Sequence, residues 1–375
     1  MAKRDYGDGT TYEESEGRWR AALVIDGKVV RRRAGSEREA KAILKELRQQ
    51  RDEGLNVGDG LQTLTQWLEH WLSTILPGKE IKAKTLVSHR YIVEHYIEPY
   101  LGKYKLVHLT AHHIDHWQRT LRQKGLAIGT ITNARRRLHT ALEIARKRKL
   151  ILDNVVGLTE SLREPVKRLE TGSTVLGEQQ IKQLLHELHD HRLYALYALA
   201  CSLGLRQAEL MGLRWGAINL EAGTLIVREQ LQRVAGKIHR ELTTKGGKDR
   251  TLYLSAAHSE LLRQHQARQE REQTLFGDLW RGEDLVFVSA DGTPLEAGAL
   301  RRQFKRALVR AKLPEVTFHS LRHSAGSIML ANGAHLVDVS RVLGHANPAI
   351  TARIYSHSFE VGQRAAVAAA AKALF

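Results

Sequence analysis

The chain of 375 residues holds one cysteine, Cys201. That excludes an internal disulfide and any zinc cage built on cysteines, and it fits a reducing cytoplasm. Its surroundings, "LYALACSLG", are apolar, so the thiol reads as inert packing in a buried helix. No apolar run approaches the roughly 20 residues needed to cross a bilayer. The first residues, "MAKRDYGDGTTYEE", lack the apolar stretch of a signal peptide. The expectation is a soluble cytoplasmic protein. Acidic residues are also scarce: 41 Asp and Glu face 58 Lys and Arg, a formal net charge of +17. A polyanionic partner follows, nucleic acid ahead of an anionic membrane surface.

What is present is ordinary globular composition, 42% hydrophobic and 26% charged, enough for two or three domains. Charge divides the chain unevenly. Lys and Arg number 13 against 12 acids in residues 1–60, 19 against 10 in 61–170, and 26 against 19 in 171–375. In the first segment, "GRWRAALVIDGKVVRRRAG" predicts two strands joined at Asp26-Gly27, a dipeptide suited to a tight hairpin. Ser36 to Glu39 then predicts a capping box opening a helix to about Gln50. Arg18, Trp19, Arg20, Lys28, Arg31, Arg32 and Arg33 on those strands are candidates for a DNA groove, against the plainer reading of a solvated ribbon with Trp19 in its core. "DEGLNVGDG" reads as a linker.

The second segment carries apolar residues at three- and four-residue spacing in "LTQWLEHWLSTIL", "TLVSHRYIVEHYIEPYL", "IDHWQRTLRQKG" and "TITNARRRLHTALEIARKRKLI", which predicts a four-helix domain. In its last helix Arg135, Arg136, Arg137 and Arg146 to Lys149 flank Leu138, Leu142 and Ile144, so the cations are expected to face out toward phosphate. His112, His113 and His116 share a helical face, but no HExxH frame accompanies them and they read as surface histidines, with no metal expected. "SLREPVKRLETGSTV" reads as a hinge.

The third segment opens with a helix from Glu178, runs through the buried "LYALYALACSLG", and breaks at Gly204. Arg206, set just after a helix-ending glycine, is positioned and not free to wave. "INLEAGTLIV" and "GKIHRELTTKGGKDRTLYL" read as strands, with Lys245 at the tip of a hairpin. "TFHSLRHSAGSIMLANGAHLVDVSRVLGHANPAITARIYSH" predicts helix, glycine turn, helix and a proline-bearing connection to Tyr355.

These pieces resemble the tyrosine recombinase family, the integrases of phages and mobile elements. The blocks are "GLRQAEL" at 204–210, the hairpin lysine Lys245, "HSLRH" at 319–323, "LGH" at 343–345, and Tyr355 ten residues beyond that histidine. Their common order and spacing carry the resemblance, which spans essentially the whole chain. It implies a multidomain α+β architecture similar to that of lambda integrase: residues 1–55 as a small sheet-plus-helix domain binding arm-type DNA, 62–160 as an all-α core-binding domain, and 175–375 as a mainly α catalytic domain with a small antiparallel sheet.

The resemblance also implies the chemistry. Tyr355 attacks the scissile phosphate, forming a 3′-phosphotyrosyl link and freeing a 5′-hydroxyl, with neither ATP nor a metal ion or other cofactor. Arg206 and Arg322 neutralise the charge that develops on the phosphoryl oxygens with forked geometry that lysine cannot copy. Lys245, with Lys248 as its rival in "TTKGGKDR", protonates the leaving oxygen. His319 and His345 bond the phosphate or accept the tyrosine proton, which of them being left open, and Glu209 orients Arg206. His323 reads as structural. The Ala-rich tail "VGQRAAVAAAAKALF" either docks on a neighbouring protomer or covers its own domain.

The implied partners are double-stranded DNA with core-type and arm-type attachment sites, three further copies in a homotetramer on a Holliday junction, a host DNA-bending protein and an excision factor, in the nucleoid of a bacterial host cell. Two rivals remain open at this point. One is a type IB topoisomerase that relaxes DNA; the other is a catalytically inactive DNA-binding regulator with the same fold.

Overall fold

The computed structural model describes residues 8–25, 28–52, 62–79, 81–162, 175–234, 236–242, 249–345, 347–354 and 371. The chain divides into two units, Met1–Glu170 and Thr171–Phe375, and is helix-rich with small antiparallel sheets. The division falls inside the hinge read from the sequence, whose residues 163–174 lie outside the described ones.

In the first unit the two expected strands, β2 (Arg18–Ile25) and β3 (Lys28–Ala34), pair antiparallel with Ile25 opposite Lys28. The tight turn expected at Asp26-Gly27 lies outside the described residues. A further strand, β1 (Thr10–Ser15), pairs with β2. Its sequence, "TTYEES", is almost wholly exposed and polar, so no alternation marked it. Ala21, Leu23, Ile25 and Val30 turn inward onto Leu44 and Leu47 of α1 (Glu37–Asp52). At the start of α1 the Glu39 N–H donates to the Ser36 hydroxyl at 3.2 Å, and the Glu39 carboxylate accepts from the Gly35 N–H at 2.7 Å. The box closes one residue earlier than the usual pattern.

Strand parity corrects part of the DNA-contact set. Arg32 stands opposite buried Ala21 and reaches Glu46 of α1 at 3.7 Å, so it belongs to the helix-covered face. Arg31 and Arg33 are exposed and alternate onto the other face with Arg20. Trp19 is half-buried.

The rest of this unit is the expected set of four helices. The first, α2 (Leu64–His70), runs on through a π turn at Trp71–Ile75; the second, α3 (Ala83–Ile92), runs through another at Val93–Ile97 into α4 (Glu98–Leu101). Then come α5 (Ala111–Gln123) and α6 (Ile128–Lys147). Trp67, Trp71 and Trp117 are enclosed in their core. The Trp67 and Trp117 indole N–H groups donate to the carbonyls of Ala141 (3.1 Å) and Tyr96 (2.7 Å), which removes the cost of burying them. His113 closes the capping box of α5 with Thr110 and stacks on Tyr104 at 4.1 Å.

Two of the outward-facing cations expected on α6 need correction, while Arg146 to Lys149 are exposed as expected. Arg136 is exposed, but Arg135 Nη2 donates to the carbonyls of Val156 (2.6 Å) and Thr159 (2.5 Å), and Arg137 bonds Ser88 at 3.1 Å. The loop after α6 folds back over Arg135, which adds a charged donor to its carbonyls.

The second unit is built on α7 (Glu178–Glu187) and the nearly all-buried α8 (Tyr194–Leu203), followed by α9 (Gln207–Met211). Three strands, β4 (Ile218–Asn219), β5 (Thr224–Val227) and β8 (Arg250–Tyr253), form one antiparallel sheet in the order β4-β5-β8. Two more, β6 (Glu229–Val234) and β7 (Lys237–Leu242), form a separate pair. This overturns the hairpin placed around Lys245. The strands on either side of it belong to different sheets, β7 to β6 and β8 to β5, so the segment connects two ladders instead of capping one. The polar "EQLQRV" supplies β7's partner. The long α10 (Ala256–Phe276), α11 (Ala297–Arg310), α12 (Phe318–Ala331), α13 (Leu336–Leu343) and α14 (Pro348–Ile354) complete the unit. The proline-bearing connection is thus a helix, begun by Pro348 at a position where a missing N–H costs nothing. Among the described residues no helix is long and apolar enough to cross a membrane.

Candidate active site

Chain reversals at two glycines assemble the site. Gly204 ends α8 in the left-handed region, φ +63°, and a methyl there would meet Leu343 Cδ2 at 2.5 Å. Two residues on, Arg206 caps α9 in extended conformation. Its backbone N–H donates to Glu209 Oε2 (2.9 Å), its Nη1 to Glu209 Oε1 (2.7 Å), and its Nη2 to the Gly344 carbonyl (3.2 Å). Glu209 is 2% exposed. Its second partner is Arg250 at the head of β8, whose Nη2 lies 3.0 Å from Oε2. Burial would push this carboxyl up; the charges of Arg250 and Arg206 outweigh burial and hold it below the usual carboxylate range.

Helix α12 begins where the Thr317 hydroxyl accepts the Ser320 N–H at 3.2 Å, and it buries Phe318, Leu321 and Ala325. Arg322 is buried beside them, and its Nη1 donates to the Gly204 carbonyl at 2.9 Å. His319 and His323, one turn apart, meet edge to face with ring centroids 4.9 Å apart. His319 is exposed over the residue as a whole, yet enclosure of its ring, then His323, Arg322 and Arg206, lowers its pKa.

The second reversal is Gly344, φ +66°, which ends α13 and sends His345 back into the cluster. His345 Nδ1 lies 2.7 Å from the hydroxyl of fully buried Thr351 on α14. Burial, and then Arg322, Arg206, His323 and Arg250, push its pKa down to about 4. At neutral pH it is an uncharged imidazole among guanidinium groups, able to accept a proton or a hydrogen bond.

Four of the six residues read as catalytic, Arg206, His319, Arg322 and His345, are thereby brought to one locality, with Glu209 bound to Arg206. Lys245, its rival Lys248, and Tyr355 lie outside the described residues, although Tyr355 directly follows α14. Of the strand-borne candidates, Arg18, Arg31 and Arg33 are exposed and Arg20 pairs with Glu14 at 2.6 Å. The Lys28 side chain is outside the described residues. Sequence reasoning missed Arg250. No spacing rule singles it out of "GGKDR"; only the end of the lysine segment at a strand start hinted that its side chain is fixed.

Residues 174–361 match the phage integrase family, and residues 63–122 match the phage integrase N-terminal SAM-like domain. An integrase of Streptomyces ambofaciens is 31% identical over 370 residues, which cover 95% of this chain and 94% of that one. The chain belongs to the phage integrase family. It is a tyrosine site-specific recombinase, an enzyme of DNA strand breakage and rejoining. Another relative, a XerC-like tyrosine recombinase of Caldanaerobacter subterraneus subsp. tengcongensis, is 28% identical over 88% of this chain and 89% of its own. Among solved structures, the Tn1549 transposon integrase in complex with transposon right end DNA superposes with a TM-score of 0.68 at 18% identity, covering 81% of this chain and 99% of that one. A lambda integrase dimer bound to a COC′ core site gives 0.59 at 20%, covering 95% and 96%. At these identities the structures establish the likeness of fold alone.

Proposed function

We propose that this recombinase integrates or excises a phage or mobile element by way of a 3′-phosphotyrosyl intermediate on Tyr355. The observation that carries the reading is the convergence of Arg206, Arg322, His319 and His345 from three separate chain segments, with His345 one short helix ahead of Tyr355. The Tyr355 hydroxyl oxygen attacks phosphorus as its proton passes to His319 or His345. The new phosphotyrosyl bond forms as the bond to the 5′-oxygen breaks, and Lys245 or Lys248 delivers a proton to that oxygen. Arg206 and Arg322 stabilise the charge gathering on the two non-bridging oxygens. Glu209 holds Arg206 in place. Because the phosphate ester is retained, rejoining to another 5′-hydroxyl needs no external energy source.

Residues 1–55 bind arm-type sites through the open face of the β1-β2-β3 sheet, with Arg18, Arg20, Arg31 and Arg33. Residues 62–160 bind the core site with Arg136, and 175–375 cut and rejoin it. The match of 63–122 to the SAM-like domain supports the middle assignment. The active assembly is a homotetramer on DNA; lambda integrase is known as a tetramer bound to a Holliday junction. A host DNA-bending protein and an excision factor set direction, in the bacterial nucleoid. The test is incubation with nicked duplex carrying a bound core site, followed by a denaturing gel. A protein–DNA adduct lost in Tyr355→Phe and kept in Tyr253→Phe supports the reading. Binding without any adduct makes the chain a regulator, and plasmid relaxation without exchange between paired sites makes it a topoisomerase.

A further inference from the structure

Arg250 stands where three elements of the site meet. It opens β8 with its side chain 15% exposed, and it donates to Glu209 Oε2 at 3.0 Å. The other oxygen of Glu209 holds Arg206 Nη1 at 2.7 Å. One buried carboxylate is therefore shared between two guanidinium groups, one from α9 and one from β8.

A second contact is independent of the first. A methyl group on Gly344 would fall 2.9 Å from Arg250 Cζ and 3.1 Å from its Cδ, so the side chain passes against the Gly344 backbone only because that residue is glycine. The carbonyl of the same Gly344 accepts from Arg206 Nη2 at 3.2 Å, and the next residue is His345. Arg250 thus touches both the carboxylate that orients Arg206 and the turn that delivers His345, from a strand that begins just after the segment of Lys245 and Lys248.

We propose that Arg250 is a positioning residue for strand cleavage, fixing the Arg206 guanidinium through Glu209 and the His345 turn through Gly344. This rests on the reading of Arg206 and His345 as groups that act on the scissile phosphate. An orienting partner of this kind changes the rate of the chemical step without touching DNA.

The experiment uses the full-length chain and a nicked duplex recovered by that chain from a randomised pool. Adduct formation under single-turnover conditions and duplex affinity are measured on the same preparations. Arg250→Ala is expected to slow adduct formation roughly 10- to 100-fold while duplex affinity stays within about threefold. Arg250→Lys, which keeps a cation for Glu209, recovers much of the rate. Gly344→Ala, which sets a methyl against the Arg250 side chain, slows the step as well, the part due to the positive φ at 344 persisting when Arg250 is removed. Arg263→Ala, on the exposed side of α10, serves as control.

Adduct formation by Arg250→Ala at the parental rate overturns the proposal. So does loss of rate, affinity and thermal transition together in both Arg250→Ala and Arg250→Lys, which marks a purely structural residue. If the parent forms no Tyr355-dependent adduct, the functional reading fails and takes this one with it. An adduct present equally in parent and Arg250→Ala removes only the role of Arg250.

Discussion

Arg322 donates from Nη1 to the carbonyl of Gly204, 2.9 Å away and 118 residues earlier in the chain. The bond ties the helix carrying both "HSLRH" histidines to the reversal that precedes Arg206, so the spacing of the two arginines is set by a buried contact. Lysine at 322 keeps the charge but loses the planar fork. Arg322→Lys is expected to cut the single-turnover rate of adduct formation by about 10²- to 10³-fold, the usual cost of losing one donor to a developing oxyanion. Duplex affinity should change little; a rate within tenfold of the parent would count against the assignment.

Gly204 offers a test of the scaffold by itself. A side chain there is strained by the positive φ and collides with Leu343. Gly204→Ala should lower stability by about 1 to 3 kcal/mol, read as a shift in the urea midpoint at unchanged slope. No shift would mean that α8 and α13 approach less closely than described.

The histidine at the second reversal makes stability depend on pH. His345 is held at about 4 in the fold, and an unfolded chain holds it near 6.5. Between those values the unfolded state takes up a proton that the folded state refuses, so stability falls as pH falls through that window. In His345→Asn, urea midpoints measured from pH 7 down to pH 4 should decline less steeply than in the parent. Parallel curves would show that the imidazole is not held neutral.

The open face of the first sheet separates neighbouring arginines by parity. Arg31→Gln with Arg33→Gln should weaken binding to bulk duplex and reduce the slope of log K against log salt by about 2. Arg32→Gln, removed from the α1 face, should leave the slope unchanged and lower the thermal transition. An equal effect of all three on the salt slope would place Arg32 on the DNA.

The residues around the site were legible because their chemistry is written in local blocks: a glycine before Arg206, two histidines one turn apart around Arg322, a glycine before His345. The helices of the first unit were legible from apolar spacing. Pairings across long separations were not. "EQLQRV" carries no strand signal, and without its pairing the segment around Lys245 reads as the tip of a hairpin. Parity was half legible, since alternation puts Arg32 opposite its neighbours in facing but does not say which face a helix covers. Arg135 and Arg250 were hidden for a related reason: what each contacts, the 156–159 carbonyls or Glu209 and Gly344, is decided by folding and not by neighbours in sequence.

The two ladders on either side of Lys245 have a mechanical consequence. Leu242 stands opposite Glu229 and Arg250 opposite Val227, so the run of chain that holds Lys245 departs from one ladder and rejoins the other across from a single residue, Arg228. Residues added to or taken from that run can leave both registers as they are, as slack let out beside a zip leaves its teeth engaged.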